Sequence, residues 1–158
     1  MYERILISID GSTCSYAALR HGICLAREEK AGVRIIHVID EQSVYAVEGV
    51  YEIYLEATQE ARRRSDEIMN RATDAAGQAG IEHVETAVIE SNGRRIPDLI
   101  AAEAEHWSAD LIVMGTHARR GVGRLLFGSV ADAVMHATSV PVLLIHPPVA
   151  GESRSRVA

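Results

Sequence analysis

One stretch of the sequence combines glycine with positive charge. Residues 115–129 read GTHARRGVGRLLFGS, with four glycines, three arginines and no acidic residue. Glycine allows the backbone to approach a ligand closely, and Gly115 is expected to let the chain turn sharply out of the preceding apolar run. Arginine binds phosphate through paired N–H donors, and a helix beginning at Gly128-Ser129 would offer free amide hydrogens to an anion. The pattern favours a phosphate-binding loop; a solvated surface loop in which Ser129 only caps the helix is the alternative.

Two further residues stand where apolar runs end. Asp10 follows RILISI and suits either a ligand contact or a turn before a helix. Val38 is a strand residue whose backbone could meet a flat apolar ring. His37 more simply packs within its strand, since no second ligand stands at metal spacing.

Motifs for catalysis are absent from the sequence. It has no GxxxxGK[ST] loop, no GxGxxG after the first strand, no GxSxG elbow and no HExxH. His117 is a lone histidine in the glycine-rich stretch, which is weak evidence for acid–base chemistry. The residues therefore predict a binding protein, with no catalytic set and no metal site.

Composition limits the class of protein. The chain has 158 residues, 47% of them hydrophobic, and a net charge of -6. This length and composition suit one soluble domain, and the charge does not favour nucleic acid or an anionic membrane as partner. Cys14 and Cys24 are predicted to be reduced packing thiols. With no apolar run of about 18 residues and no signal-peptide pattern, the expected location is the cytoplasm.

Apolar runs and helical periodicities alternate along the chain. Strands are predicted at residues 4–10, 33–40, 81–90, 109–116 and 140–146. The third run is the most polar and is placed at a sheet edge. Four helices are predicted. The first begins with Ser12 or Thr13 as its N-cap and is closed by Gly32, and the second covers residues 53–79 and is ended by Gly80. The third covers about residues 94–107 with Pro97 in its first turn, and the fourth covers residues 130–137.

This alternation predicts an α/β domain with a doubly wound parallel sheet, because helical crossovers make the strands parallel and right-handed crossovers cover both faces. Residues 1–148 would form the domain and 149–158 a disordered tail. Such sheets bind ligands beyond the carboxyl ends of their strands, where the strand order reverses. If strands one and four are neighbours there, Asp10 and Gly115 face each other across one crevice.

Several segments together resemble the universal stress protein family over nearly the whole chain. They are ILISIDGS, IIHVID and ADLIVMGTHARRGVGRLLFGSVADAVMHATSVPVLLI. The resemblance implies a five-stranded parallel sheet in the order 3-2-1-4-5. It also implies a homodimer joined through the fifth strand, here Pro141 to Ile145.

The ATP-binding branch of that family carries the pattern Gly, two residues, Gly, nine residues, Gly, then Ser or Thr. Gly115, Gly128 and Ser129 fill three of these positions, and Ala118 stands at the second glycine. If that glycine needs a positive φ, alanine costs about 1–2 kcal/mol of binding free energy; if it only leaves room for phosphate, one methyl could block the site. We expect binding that is retained but weakened.

By the same resemblance, Asp10 would hold the adenine and ribose side, Val38 would meet adenine, and Gly128, Ser129 and Val130 would hold phosphates. The full set of implied nucleotide contacts is Ser8, Ile9, Asp10, Val38, Met114, Gly115, His117, Ala118, Arg119, Gly128, Ser129, Val130 and Ala131.

Three functions are compatible with these residues. The first is an ATP-binding, homodimeric stress-response regulator that is not an enzyme, with ATP bound either alone or with Mg²⁺. The second is a non-nucleotide interaction protein of the same fold, which Ala118 favours. The third is a slow ATPase that works by positioning ATP and metal alone, which the lack of a general base beside a Mg²⁺ set disfavours.

Overall fold

The computed structural model describes residues 1–40, 51–116 and 129–146, and the side chains of all of these except 51–54. Five strands form one sheet in the order β3-β2-β1-β4-β5, with every neighbouring pair parallel. The predicted sheet and its order are therefore confirmed. The strands are β1 Arg4–Ile9, β2 Gly32–Ile39, β3 Val84–Glu90, β4 Leu111–Gly115 and β5 Val142–Ile145.

Helices connect the strands where the periodicity predicted them. In the described part of the chain they are α1 Thr13–Glu29, α2 Tyr51–Gln78, α3 Ile96–His106 and α4 Ser129–Ala137. Pro97 lies in the first turn of α3, where its missing N–H breaks no helical hydrogen bond. The crossover predicted at 41–51 falls almost entirely outside the described residues, as does the predicted tail at 149–158.

The predicted N-cap of α1 is confirmed, and the predicted C-cap is wrong. Ser12 caps the N-terminus, because its side chain accepts a hydrogen bond from the Ser15 amide. The C-terminus is closed by Lys30 rather than by Gly32: Lys30 takes the left-handed conformation with φ 58°, and its amide bonds to the Ala26 carbonyl. Gly32 is instead the first residue of β2, where its amide donates to the Glu3 carbonyl.

The sheet is covered by a helix pair on each face. Ile5, Ile7 and Val33 pack with residues of α1 and α2, whereas Leu6 and Ile36 pack with residues of α3 and α4. Because β1 is covered on both faces, Ile5, Leu6 and Ile7 are fully buried. The buried centre of the sheet therefore positions the residues at the ends of its strands.

Arg34 of β2 ties the second face together near the amino end of the sheet. Its guanidinium lies 2.7 Å from Glu85 of β3 and 2.6 Å from Glu103 of α3, while its side chain is only 18% exposed. Trp107 donates its indole N–H to Glu85 over 2.9 Å, and Arg4 stacks 4.3 Å from the centre of the Trp107 ring. These contacts fix α3 against β2 and β3.

The two edge strands have different surfaces. β3 lies at a sheet edge, as predicted, and exposes Glu85, Thr86 and Val88, whereas β5 is apolar throughout and exposes 37% of Leu143. Pro141 lies just before β5, and its carbonyl accepts from the Ile112 amide. Among residues 1–40, 51–116 and 129–146, no helix combines the length and apolar character needed to cross a membrane.

Candidate functional site

The strand order reverses between β1 and β4. Ser8 is in register with Met114, so the carboxyl ends of β1 and β4 lie side by side. From there β1 connects towards β2 on one side and β4 towards β5 on the other. The prediction that these two strands are neighbours at the reversal is confirmed, and Asp10 and Gly115 border one crevice.

That crevice contains a cavity of about 230 Å³. Its walls come from the carboxyl ends of β1, β2 and β4 and from the N-terminal parts of α1, α3 and α4. Of the residues singled out from the sequence, the structure brings nine to this cavity: Ser8, Ile9, Asp10, Val38, Met114, Gly115, Ser129, Val130 and Ala131. The remaining four, His117, Ala118, Arg119 and Gly128, lie outside the described residues.

The structure adds four lining residues that sequence reasoning missed: Ser15, Ile96, Ile100 and Thr116. Ile96 and Ile100 stand one helical turn apart on α3. Pro97 indicates the start of this helix, which packs on the sheet face where Leu6 and Ile36 lie. Ser15 reaches the cavity from the first turn of α1, and its hydroxyl donates to the Ser12 carbonyl over 3.0 Å.

One wall of the cavity is apolar and another is polar. Ile100 and Met114 are buried and Val38 is half-buried, so together they offer a surface for a flat apolar ring. Asp10 and Ser129 also line the cavity and are exposed, so a carboxylate and a hydroxyl group are available to a polar ligand. This combination of apolar walls with a few convergent polar groups is typical of small-molecule sites.

Asp10 has a structural role as well as a place in the cavity. Its Oδ1 accepts a hydrogen bond from the Ser12 amide over 2.9 Å, which is the turn predicted for this position. The turn fixes the carboxylate at the mouth of the cavity. Burial, and then the negative charge of Asp10, raise the pKa of the neighbouring Cys14 thiol, so Cys14 is held as a neutral thiol.

The first turn of α1 leaves little room for a phosphate. Ser12 already occupies the Ser15 amide, and β4 packs directly on the same turn: a Cβ added to Gly115 would lie 2.5 Å from the Cys14 carbonyl carbon. Gly115 is thus needed for contact between β4 and α1. Its φ is not positive, so the close packing and not a left-handed backbone requires glycine at this position.

The start of α4 offers a better position for an anion. Ser129 is the first residue of this helix, and it is exposed on the cavity together with half-buried Val130. The amides of a first helical turn carry partial positive charge, and a serine hydroxyl adds a donor. Within the described segments, no three His, Cys, Asp or Glu side chains are grouped closely enough to hold a metal ion.

Comparisons with known proteins agree with this architecture. Residues 1–146 match the model of the universal stress protein family. The chain is 34% identical over 151 residues to Universal stress protein MJ0531 of Methanocaldococcus jannaschii, covering 94% of this chain and 84% of that one. A solved universal stress protein from Archaeoglobus fulgidus is 27% identical with a TM-score of 0.68, covering 92% of this chain and 99% of that one.

A second solved structure has a nucleotide bound. It is a universal stress protein in complex with cAMP, 25% identical to this chain with a TM-score of 0.65, and the match covers 92% of this chain and 97% of that one. A chain of similar fold and length therefore holds an adenine nucleotide.

Proposed function

Since the chain belongs to the universal stress protein family, we propose that it binds an adenine nucleotide, with ATP as the expected ligand, in the cavity between β1 and β4. One observation carries the proposal. Separate segments of the chain, ending β1, β2 and β4 and beginning α4, supply the nine implied contact residues to a single cavity. The cAMP complex of a similar protein supports the class of ligand.

The cavity suggests an orientation for the nucleotide. Adenine packs on the apolar wall formed by Val38, Ile100 and Met114. The ribose lies near Asp10, whose carboxylate accepts from its hydroxyl groups. The phosphates extend to the first turn of α4, where Ser129 donates its hydroxyl and the helix dipole favours negative charge.

Isothermal titration calorimetry with ATP, AMP, cAMP and GTP tests the proposal. We expect heat of binding for the adenine nucleotides, and an affinity about three- to tenfold lower in Ser129→Ala because one hydrogen bond to phosphate is lost. Ser139→Ala, an exposed serine beyond α4, is the matched control and keeps the wild-type affinity. No heat with any adenine nucleotide at millimolar concentration would contradict the proposal.

A non-nucleotide interaction protein is the second candidate, and Ala118 favours it. The variant Ala118→Gly separates the two. If the chain is a nucleotide-binding protein, affinity for ATP rises or stays level in the variant. If it is not, ATP fails to bind both before and after the change, unless the Ala118 methyl alone blocks the site, in which case only the variant binds ATP.

In the cell we propose a homodimeric stress-response regulator rather than an enzyme. The apolar β5 edge supports the dimer, and relatives such as MJ0531 are named as stress proteins. Slow hydrolysis is tested by single turnover with stoichiometric ATP and Mg²⁺. Equal rates of phosphate release in the wild type and in Asp10→Ala would assign any turnover to another source.

A further inference from the structure

Two histidines hold the ends of the two strands that border the cavity. His37 of β2 places Nδ1 2.8 Å from the carbonyl oxygen of Ile9, the last residue of β1. His146, which follows β5, places Nδ1 3.1 Å from the carbonyl oxygen of Thr116, just after β4. A carbonyl oxygen can only accept, so Nδ1 carries the proton in both contacts. The end of β1 is therefore held by an imidazole from β2, and the end of β4 by an imidazole that follows β5.

The residues whose carbonyls these histidines hold both line the cavity. Ile9 and Thr116 both line it, and both are buried, with 2% and 4% of their surfaces exposed. The Ile9 carbonyl belongs to the peptide that leads into Asp10. Thr116 is held twice, because its amide also donates to the Ile145 carbonyl over 2.9 Å.

We infer that His37 and His146 are positioning residues of the nucleotide site: His37 orients the Ile9–Asp10 peptide for the nucleoside, and His146 orients Thr116 for the phosphates. The inference rests on the proposed function, which places the ribose at Asp10 and the phosphates at the first turn of α4, whose Ser129 lines the cavity together with Thr116. His37 lies on β2, next to β1, and His146 follows β5, next to β4, so the two histidines lie on opposite sides of the β1–β4 pair. Their effects on the ligand should therefore be separable.

Binding of adenosine, AMP and ATP to the full-length chain tests this division. We expect His37→Leu to weaken all three ligands by a similar factor of about three to ten, because every ligand uses the nucleoside side. We expect His146→Leu to weaken AMP and ATP by about the same factor while leaving adenosine at its wild-type affinity. His21→Leu, on the exposed face of α1, is the control and changes none of them.

Asparagine distinguishes a hydrogen bond from mere packing. Its side-chain amide nitrogen stands close to where Nδ1 stands in histidine, so His37→Asn and His146→Asn should restore most of the lost affinity. If a leucine variant does not fold, the histidine is changed to glutamine instead. The glutamine amide nitrogen is one bond farther from the backbone than that of asparagine, so it does not reach the Ile9 or Thr116 carbonyl. Hydrogen exchange without nucleotide gives a second readout: we expect faster exchange at the Ser12 amide in His37→Leu and at the Thr116 amide in His146→Leu.

The outcomes separate the two levels of the proposal. A wild-type chain that binds adenine nucleotides while both leucine variants keep full affinity overturns the positioning role alone. Equal losses for adenosine and ATP in His146→Leu, or no recovery with asparagine, also overturn it. A wild-type chain that binds no adenine nucleotide overturns the proposed function and this inference with it.

Discussion

At the scale of single residues, Gly115 connects the packing of the protein with its cavity. A side chain there would lie 2.6 Å from the Cys14 carbonyl oxygen and 2.7 Å from the Ser15 amide nitrogen. Backbone atoms of a helix cannot move aside as a flexible side chain can, so β4 or α1 would have to shift. Both elements line the cavity, and either shift would change its shape.

We therefore expect Gly115→Ala to lower the free energy of unfolding by about 2–3 kcal/mol and to weaken nucleotide binding. The matched control is Gly77→Ala. Gly77 is the penultimate residue of α2 and has nothing within 4 Å of an added Cβ, so alanine there should stabilise the chain by at most about 0.5–1 kcal/mol. Urea denaturation of both variants measures the difference, and equal stabilities would contradict the close contact.

Single residues also show where sequence reasoning stops. Asp10, Val38 and Ser129 could be placed in advance because strand ends and helix starts follow from apolar patterns and turn residues. Lys30 could not be identified as the C-cap of α1, because glycine is the usual left-handed residue and Gly32 stands two positions later. Ser15, Ile96 and Ile100 join the cavity through tertiary packing, for which their local sequence carries no signal.

At the scale of elements, α3 depends on the charge cluster around Arg34. The Glu103 side chain of this helix is only 16% exposed and lies 2.6 Å from the Arg34 guanidinium. Without the guanidinium, the Glu103 charge would be largely buried and uncompensated. Ile96 and Ile100 of the same helix line the cavity, so the position of α3 affects the site as well.

We expect Arg34→Met to lower the free energy of unfolding by about 1–3 kcal/mol, and Glu103→Gln added to it to recover part of that loss. Arg63→Met is the control, because Arg63 pairs with Glu60 and Glu67 at the surface of α2 with 66% of its side chain exposed. Such a surface pair contributes about 0–1 kcal/mol. Equal losses in Arg34→Met and Arg63→Met would show that the Arg34 cluster does not fix α3.

The same cluster gives a dependence on pH. The indole N–H of Trp107 lowers the pKa of Glu85, and the positive charges of Arg34 and Arg4 lower it further. A carboxyl with a lowered pKa in the folded state stabilises the fold above its unfolded pKa of about 4.3. That contribution is lost as the pH falls through the lowered value.

Glu85→Gln should therefore lose less stability than the wild type when the pH is lowered from about 5 to 3. The difference should be small, because 56% of the Glu85 side chain is exposed. Urea denaturation at each pH measures it, with Glu82→Gln, an exposed glutamate before β3, as the control. A wild-type pH profile in Glu85→Gln would contradict the assigned pKa direction.

At the scale of the whole molecule, the two rims of the sheet suit different surroundings. The β3 rim carries Glu85, Thr86 and Glu90 around one exposed apolar residue, Val88, whereas the β5 rim carries Leu143 between half-buried apolar neighbours. An apolar edge strand with open backbone groups pairs readily with another chain, and polar or charged side chains discourage such pairing. If the protein is a homodimer as proposed, β5 is the edge that joins it.

We expect Leu143→Lys to convert the dimer into a monomer in sedimentation velocity, because the lysines would add charge to an apolar contact. The control is Val88→Lys on the opposite rim, where Val88 is 44% exposed. That variant keeps the wild-type sedimentation coefficient. A monomeric wild type, or dissociation by both variants alike, would contradict pairing through β5.

Thr116 connects the β5 edge of the sheet to the cavity, because it lines the cavity and is hydrogen-bonded to the end of β5. Its amide and carbonyl are both bonded to the end of β5, at Ile145 and His146. If pairing at that outer strand strengthens the grip on a bound molecule, thermodynamics requires the bound molecule to strengthen pairing by the same factor. One residue, Thr116, would then couple the association of the subunits to the occupancy of the cavity.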